Sequence, residues 1–458
     1  MPELPEVETV RRVLAKKLVG KTFSGATVFW PKSIATGAVA FSKEIGERTI
    51  EEVKRRGKFL LIGFDDHSHL VCHLRMEGKL FLFGKGETDF GKFARVILHL
   101  ADGEELVFDD IRKFGRFWFY PPKQPITCIE NLGPEANDLS PQYVLSILKA
   151  TSRPIKEVLL DQTKFAGIGN IYADEICFAA KINPFQKATK IATAHNAALI
   201  ASEAKRILDS AIECHGSTVR TYRASNKVLG QYQSHLFVYS RSGKKCLVCG
   251  TKIMKRELNG RGTSFCPHCQ KVPKVIGITG GIASGKTTIR KILEEMGFKG
   301  IDTDSLAKEM YGEARVRDKL EKSFPDLFDK SGNLDKGRLY RLLLDDKAGR
   351  RKWLGILYPL LKERIVRMLD DEPDTPFAIE APLLFQAHLG TLCSLVILAL
   401  TKDPLAKLKE RGDPHPQLSF ALGQTNTDWI KHRKDCDRTI ETDSPLASLP
   451  AKVREALE

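Results

Sequence analysis

The spacing of apolar residues changes three times along the chain, and each change predicts a different architecture. In "PEVETVRRVLAKKLVG", Val7, Val10, Leu14 and Leu18 share one helical face, Pro5 suits the first turn and Gly20 ends the run. From Thr22 to about Tyr120 the pattern shortens to β-rich runs such as "KFLLIGF", "LVCHLRM", "KLFLF", "ARVILHL" and "ELVFDD". Turn residues separate them, which predicts a sandwich or barrel. Residues 140–215 return to helical texture in "SPQYVLSILKAT", "PIKEVLLDQ", "NIYADEICFAAKI" and "HNAALIASEAKRILDSAIECH". Polar residues then fill 216–234, the pattern of a mobile loop. At Lys274 the style shifts again: "KVIGITGGIASGKTTIRKILEEMGF" is a buried strand, a glycine turn and a helix. The later runs "FAIEAPLLF" and "SLVILAL" alternate with helical stretches, which predicts a parallel α/β sheet. "QKVP" is the linker, and no repeats or low-complexity segments are seen.

The 458 residues have room for two to four domains, and 42% hydrophobic with 28% charged residues fits a globular chain. No apolar stretch is long enough for a membrane span and no secretory signal is recognisable, so a cytoplasmic location and no membrane partner are expected. The net charge of +15 is uneven. Through Pro273 there are 41 basic against 28 acidic residues, and beyond it 31 against 29. A basic excess confined to one part points to a polyanion, nucleic acid first; a solvated basic surface is the plainer alternative.

Four of the ten cysteines form the series Cys246-x2-Cys249-x16-Cys266-x2-Cys269. This is the spacing of a four-thiolate Zn²⁺ site, structural because it leaves no open position. His268, inside a knuckle, reads as a bystander, and Arg261 in "NGRGTSF" would ride the hairpin tip. The remaining six cysteines read as buried thiols.

"PELPEVETVRR", "RGKFL", "HLRMEGKL", "DDIRKFGR" and "KFAGIGNIYADEICF", with this terminal zinc module, resemble the formamidopyrimidine-DNA glycosylase family over residues 1–271. The resemblance implies a β-sandwich domain (1–135), a helix–two-turn–helix domain (136–235) and a zinc finger (236–271), acting as a monomer on damaged double-stranded DNA. Removal of Met1 would leave Pro2 a secondary amine, and an α-amine titrating near pH 8 is partly neutral and nucleophilic at physiological pH. The resemblance assigns Pro2 to attack on C1′ of the damaged nucleotide, giving an imine that permits strand cleavage. It makes Glu3 the general acid at the sugar, with Glu6 helping to place the terminus, and Lys58 a proton donor in base loss and elimination. Met76, Arg112 and Phe114 match void-filling residues that replace an extruded base. Lys156, Asn170 and Arg261 match phosphate contacts, and the loop "STVRTYRASNKVLGQYQ" would cover the extruded base. Taken singly, these residues have plain readings: helix entry, first-turn acid, solvated lysine, core Met and Phe. "PELPE" favours oxidised purines as substrates. Rival readings are an endonuclease VIII-like preference for oxidised pyrimidines and a non-catalytic damage-binding module, against which Pro2, Glu3 and Lys58 speak.

"GGIASGKTT" satisfies the phosphate-loop pattern through Gly280, Gly281, Ser284, Gly285, Lys286, Thr287 and Thr288, which implies ATP and Mg²⁺. With "GIDTDSLAKEMY", "LYPLL" and "APLLFQ" it resembles dephospho-coenzyme A kinase over 274–458, weakening toward the end. That implies an α/β P-loop domain phosphorylating dephospho-CoA to CoA. Asp302 and Asp304 are candidates for hydroxyl activation and acceptor or Mg²⁺ placement, or simply a capping pair. Tyr358, Gln386 and Phe420 depart from the family pattern, which usually has His, Glu and Arg there. Rival readings are a kinase of another acceptor or an inactive nucleotide-binding module.

Overall fold

The computed structural model describes residues 2–217, 230–329, 333–410, 412, 428–443 and 445–457. The chain divides into two compact units, Met1–Ile253 with Thr263–Gln270, and Met254–Gly262 with Lys271–Glu458.

The first unit opens on α1 (Leu4–Leu18), whose predicted apolar face is buried. A reciprocal capping box starts it: the Glu6 carboxylate accepts the Glu3 N–H at 2.9 Å, while the Glu3 carboxylate accepts an amide of the first turn. Eight antiparallel strands follow, with the short helix α2 (Ala38–Glu44) between the first two. They are β1 (Thr22–Val28), β2 (Arg48–Arg56), β3 (Phe59–Phe64), β4 (His69–His73), β5 (Lys79–Phe83), β6 (Ala94–Leu100), β7 (Glu105–Asp109) and β8 (Arg116–Tyr120). The order is β5-β7-β6-β1-β2-β3-β4-β8. A flat sheet would hold β7 and β8 far apart. Instead Phe108 of β7 meets Phe117 of β8 edge to face at 5.0 Å, and residues of all eight strands share one core with α1. The sheet therefore doubles over on itself, as a sandwich does.

Helices α3 (Pro141–Lys149), α4 (Ile155–Leu160), α5 (Asn170–Ala179) and α6 (Ala194–Glu213) build a separate core, which Leu4 of α1 also enters. Ser140 caps α3 through the Tyr143 N–H, and Thr193 caps α6 through that of Asn196. Most of the predicted loop over 216–234 lies outside the described residues, though Tyr232–His235 forms a 3-10 turn. Between the cysteine pairs, β9 (Met254–Leu258) and β10 (Arg261–Phe265) form a hairpin.

The second unit is built on a parallel sheet in the order β12-β13-β11-β14-β15. Its strands are β11 (Val275–Gly280), β12 (Lys299–Asp302), β13 (Phe377–Glu380), β14 (Leu395–Leu400) and β15 (Arg438–Glu441). Every residue of β11 is buried, as expected of the central strand of a parallel sheet. Its neighbours lead away in opposite directions, so its carboxyl end is the switch point where such sheets bind ligands. There the chain turns through Gly285, at φ 85°, into α7 (Lys286–Glu295). Helices α8 (Thr303–Met310), α9 (Ala314–Ser323), α10 (Lys336–Asp345) and α11 (Lys347–Asp371) follow, before β13. Among the described residues no helix is long and apolar enough to cross a membrane.

Candidate functional site

In the first unit the amino-terminal residues are drawn into the start of α5. Pro2 is buried, and the Glu3 carboxylate accepts the N–H groups of Gly169 (2.7 Å), Ile171 (2.8 Å) and Tyr172 (3.3 Å). A helix amino end offers unpaired N–H groups and positive potential, which suits this acceptor. A methyl group on Gly169 would overlap the Glu3 carboxyl, so the glycine is what lets the acid approach. Burial nevertheless raises the Glu3 pKa, against the pull of the Lys58 charge and with a further push from Glu6. Glu6 accepts from the Tyr172 hydroxyl (2.8 Å) and from the Ser217 N–H (2.7 Å), fixing the first turn of α1.

Lys58 reaches the same place from the β2–β3 turn. It is 5% exposed and donates to the Ile168 carbonyl at 2.7 Å, beside the amide of Gln162, which donates to that oxygen at 2.8 Å. The turn is held by Glu135, which the sequence did not single out. Its carboxylate accepts the Gly57 N–H (2.7 Å) and the guanidinium groups of Arg55 (2.5 Å) and Arg56 (2.9 Å). His73 was also missed. It is buried against Phe59, its Nδ1 accepts the Arg75 N–H at 2.9 Å, and its pKa is lowered to about 3 by burial, with Arg75 and Lys58 adding to the shift. Its imidazole is therefore neutral at physiological pH. No sequence spacing marks either residue; only the "GPE" turn acid hints at the first.

Met76 (38% exposed) and Phe114 (48%) stand on two loop tips, and the Arg112 guanidinium lies 4.9 Å from the Phe114 ring. Both tips rest on the Phe108 ring, which occupies the space side chains at positions 78 and 115 would need. Asp110 shapes the second tip by accepting the N–H groups of Arg112, Phe114 and Gly115 at 2.8–3.0 Å.

Asn170 opens α5 as expected, and Arg261 is exposed at the start of β10. Lys156 differs from expectation. It is fully buried, ion-paired with buried Asp174 at 2.7 Å, and donates to the Thr263 hydroxyl at 2.9 Å. Asp174 also accepts the Ser264 N–H at 2.8 Å. Burial pushes Asp174 up to about 7, opposed by Lys156. Lys156 thus fastens β10 to α4 and α5 and presents no cation to solvent; an enclosed ammonium needs such a partner.

The sulfurs of Cys246, Cys249, Cys266 and Cys269 lie within 4.8 Å of one another, with pairs at 3.9 and 3.5 Å. Zinc–sulfur bonds of about 2.3 Å in a tetrahedron require sulfur separations of about 3.8 Å, so the cage fits Zn²⁺. His268 is no part of this group.

In the second unit Lys286 folds over the phosphate loop, donating to the carbonyls of Gly281 (2.7 Å) and Gly280 (3.3 Å). The Thr287 hydroxyl donates to Glu380 at 2.6 Å, and Arg290 donates to the other oxygen of that carboxylate at 2.9 Å. Glu380, unremarked in the sequence, completes with Thr287 a pair of hard oxygen donors that suits Mg²⁺. Beside them opens a cavity of about 1020 Å³, with Asp304, Lys308 and Arg317 among its polar lining and Trp353, Leu357 and Tyr358 in its apolar body. Burial and the neighbouring Asp302 raise the Asp304 pKa, against Lys286. Asp302 itself caps α8, accepting from the N–H groups of Asp304 and Ser305, so of the two acids only Asp304 lines the cavity. Tyr358 does line it, Gln386 is exposed away from it, and Phe420 lies outside the described residues.

The formamidopyrimidine-DNA glycosylase N-terminal domain model matches residues 1–117, its H2TH domain model 132–223, and the zinc finger found in FPG and IleRS 243–272. The dephospho-CoA kinase model matches 274–410. Formamidopyrimidine-DNA glycosylases of Lactiplantibacillus plantarum and Listeria innocua are 42% and 45% identical over 279 and 278 residues, covering 59% of this chain and all of each relative. The Lactococcus lactis enzyme, solved with DNA containing N7-benzyl-Fapy-dG, is 36% identical with a TM-score of 0.56, again over 59% of this chain and all of that one. The same enzyme solved with DNA containing an oxidised pyrimidine gives 36% and 0.55 over the same shares. The chain is an enzyme that belongs to the formamidopyrimidine-DNA glycosylase family and carries a dephospho-CoA kinase domain behind it.

Proposed function

We propose that one polypeptide carries two activities: excision of oxidised purines from double-stranded DNA with strand cleavage, and ATP-dependent phosphorylation of dephospho-CoA. The observation that carries the first is the meeting of Glu3, next to buried Pro2 in the chain, with Lys58 at the start of α5. With Met1 removed, the neutral Pro2 nitrogen attacks C1′ and the C1′–base bond breaks, the base leaving with its electron pair and taking up the proton that the amine sheds. Glu3, whose acid form burial favours, donates its proton to the opening sugar, and Lys58 assists as a second donor. The resulting iminium makes the C2′ proton acidic, so the 3′ and then the 5′ phosphate leave by β,δ-elimination. Met76, Arg112 and Phe114 fill the gap, while Asn170 and Arg261 hold the backbone. Residues 1–135, 136–235, 236–271 and 274–458 act as catalytic, DNA-gripping, zinc and kinase domains of a cytoplasmic monomer.

Borohydride should trap the protein on duplex DNA containing 8-oxoguanine with the sugar joined to the Pro2 nitrogen, and Pro2→Gly, which exchanges the secondary amine for a primary one, should weaken the adduct; an adduct mapped to any other residue would exclude Pro2 as the nucleophile. A preference for oxidised pyrimidines is the second reading, since the L. lactis relative is also seen with such DNA. Competition between the two lesions decides it.

For the kinase half, the phosphate loop and the cavity beside Asp304 support transfer of the γ-phosphate to the ribose 3′-hydroxyl, with Asp304 accepting the hydroxyl proton. Bound Mg²⁺, held by Thr287 with Glu380, would neutralise charge on the transferring phosphate. Coenzyme A should form from ATP and dephospho-CoA, and Lys286→Ala should abolish it. No product with ATP still bound would point to another acceptor or to an inactive nucleotide binder.

A further inference from the structure

Next to the tip that carries Arg112 and Phe114 lies a second basic and aromatic surface. The Phe29 and Trp30 N–H groups both donate to the Arg95 carbonyl, at 2.9 and 3.2 Å. Arg95 Nε donates to the Asp110 carbonyl at 2.9 Å, and the Asp110 N–H to the Phe93 carbonyl at 3.0 Å. These bonds join the 29–32 turn, the start of β6 and the 110–115 tip into one ridge. On it Lys113 Nζ stands 4.3 Å from the Trp30 ring centre and Lys32 Nζ 5.9 Å, so one indole carries two ammonium groups. Phe29 is 58% exposed beside them. Asp110, the acid at the foot of the ridge, is buried and turned onto backbone N–H groups, where it offers nothing to a partner. Cations seated on aromatic faces, with the local acid withdrawn, suit a phosphate backbone better than an apolar partner.

We propose that Lys32 and Lys113, seated on Trp30, grip phosphates of the undamaged strand near the orphaned base. The inference rests on the proposed excision role: Arg112 and Phe114 would face the orphaned base, and the ridge, joined to their tip through Arg95 and Asp110, would then lie beside the strand that bears it. Such contacts add affinity and salt dependence without reading sequence.

The test measures dissociation constants against salt for a duplex holding a tetrahydrofuran abasic analogue, using the full chain and its Lys32→Gln/Lys113→Gln variant. Both lysines are exposed, so the variant should fold. Loss of two phosphate contacts should flatten the slope of log K against log salt by about 1.8. Methylphosphonates placed in the undamaged strand near the orphaned base should weaken the parent protein and not the variant. Equal slopes, or methylphosphonates that weaken both proteins alike, would overturn the proposal and leave an acidic peptide as the better partner for the ridge. If the parent failed to bind the abasic duplex at all, the excision reading itself would fall.

Discussion

A carboxylate that accepts three backbone N–H groups at a helix start would ordinarily stay ionised. At Glu3 burial outweighs those bonds and the Lys58 charge, and the pKa rises. The acid form is therefore present below the raised value and is lost as pH climbs through it, while the Pro2 amine becomes neutral only toward pH 8. The proposed excision needs both, so its single-turnover rate should be bell-shaped in pH. Glu3→Gln should lower that rate by about 10²–10⁴-fold and remove the descending limb that Glu3 sets. A variant that kept the falling limb would show that Glu3 is not the acid. Pro2, Glu3 and Lys58 can be singled out as candidates from the sequence because their motifs are contiguous and each side chain has its own chemistry. His73 and Glu135 are not. The first matters through burial beside Lys58, the second by accepting from a turn 78 residues away in the chain, and no local pattern encodes either.

Among the elements, the amphipathic α1, the alternating strands and the glycine turn into α7 follow from periods that single residues cannot disturb much. The doubling of the eight-stranded sheet does not, since Phe108 and Phe117 meet across it although five strands lie between theirs in the sheet order. Lys156 shows the same limit. Its place in a motif suggested a phosphate contact, but whether a lysine faces DNA or the interior depends on the carboxylate opposite, here Asp174 from the next helix but outside any recognisable spacing. Removing one member strands the other charge in the interior. Asp174→Asn should cost about 3–5 kcal/mol in denaturant unfolding of the full chain, whereas Lys156→Met with Asp174→Leu should cost less than that single change. Because β10 hangs on this pair through Thr263 and Ser264, exchange of the Ser264 amide should quicken in the single variant. If the single and double variants were equally destabilised, the pair would not be what fastens the strand.

At the scale of the whole molecule, each unit has its own apolar cores, those of the first drawn from α1, the eight strands and α3–α6, those of the second from the parallel sheet and the helices on it. The four zinc-binding sulfurs all belong to the first unit, and the phosphate loop, Glu380 and the cavity lined by Asp304 all belong to the second. The knuckles bring only a small core around Phe178, Val238 and Ile253, too little to fold the segment unaided. Metal binding supplies roughly 10–16 kcal/mol to such modules, and losing it should unfold the hairpin that bears Arg261. Zinc removal by a chelator should therefore weaken binding to an abasic-analogue duplex while ATP affinity stays unchanged. Lys286→Ala should do the reverse, abolishing phosphoryl transfer with excision intact, because the ammonium that reaches the nucleotide oxygens has no counterpart in the glycosylase chemistry. Measuring both affinities on one preparation, before and after each treatment, separates the alternatives. Crossed losses would mean that the two sites are energetically coupled, and unchanged DNA affinity after zinc loss would mean that the finger takes no part in holding DNA.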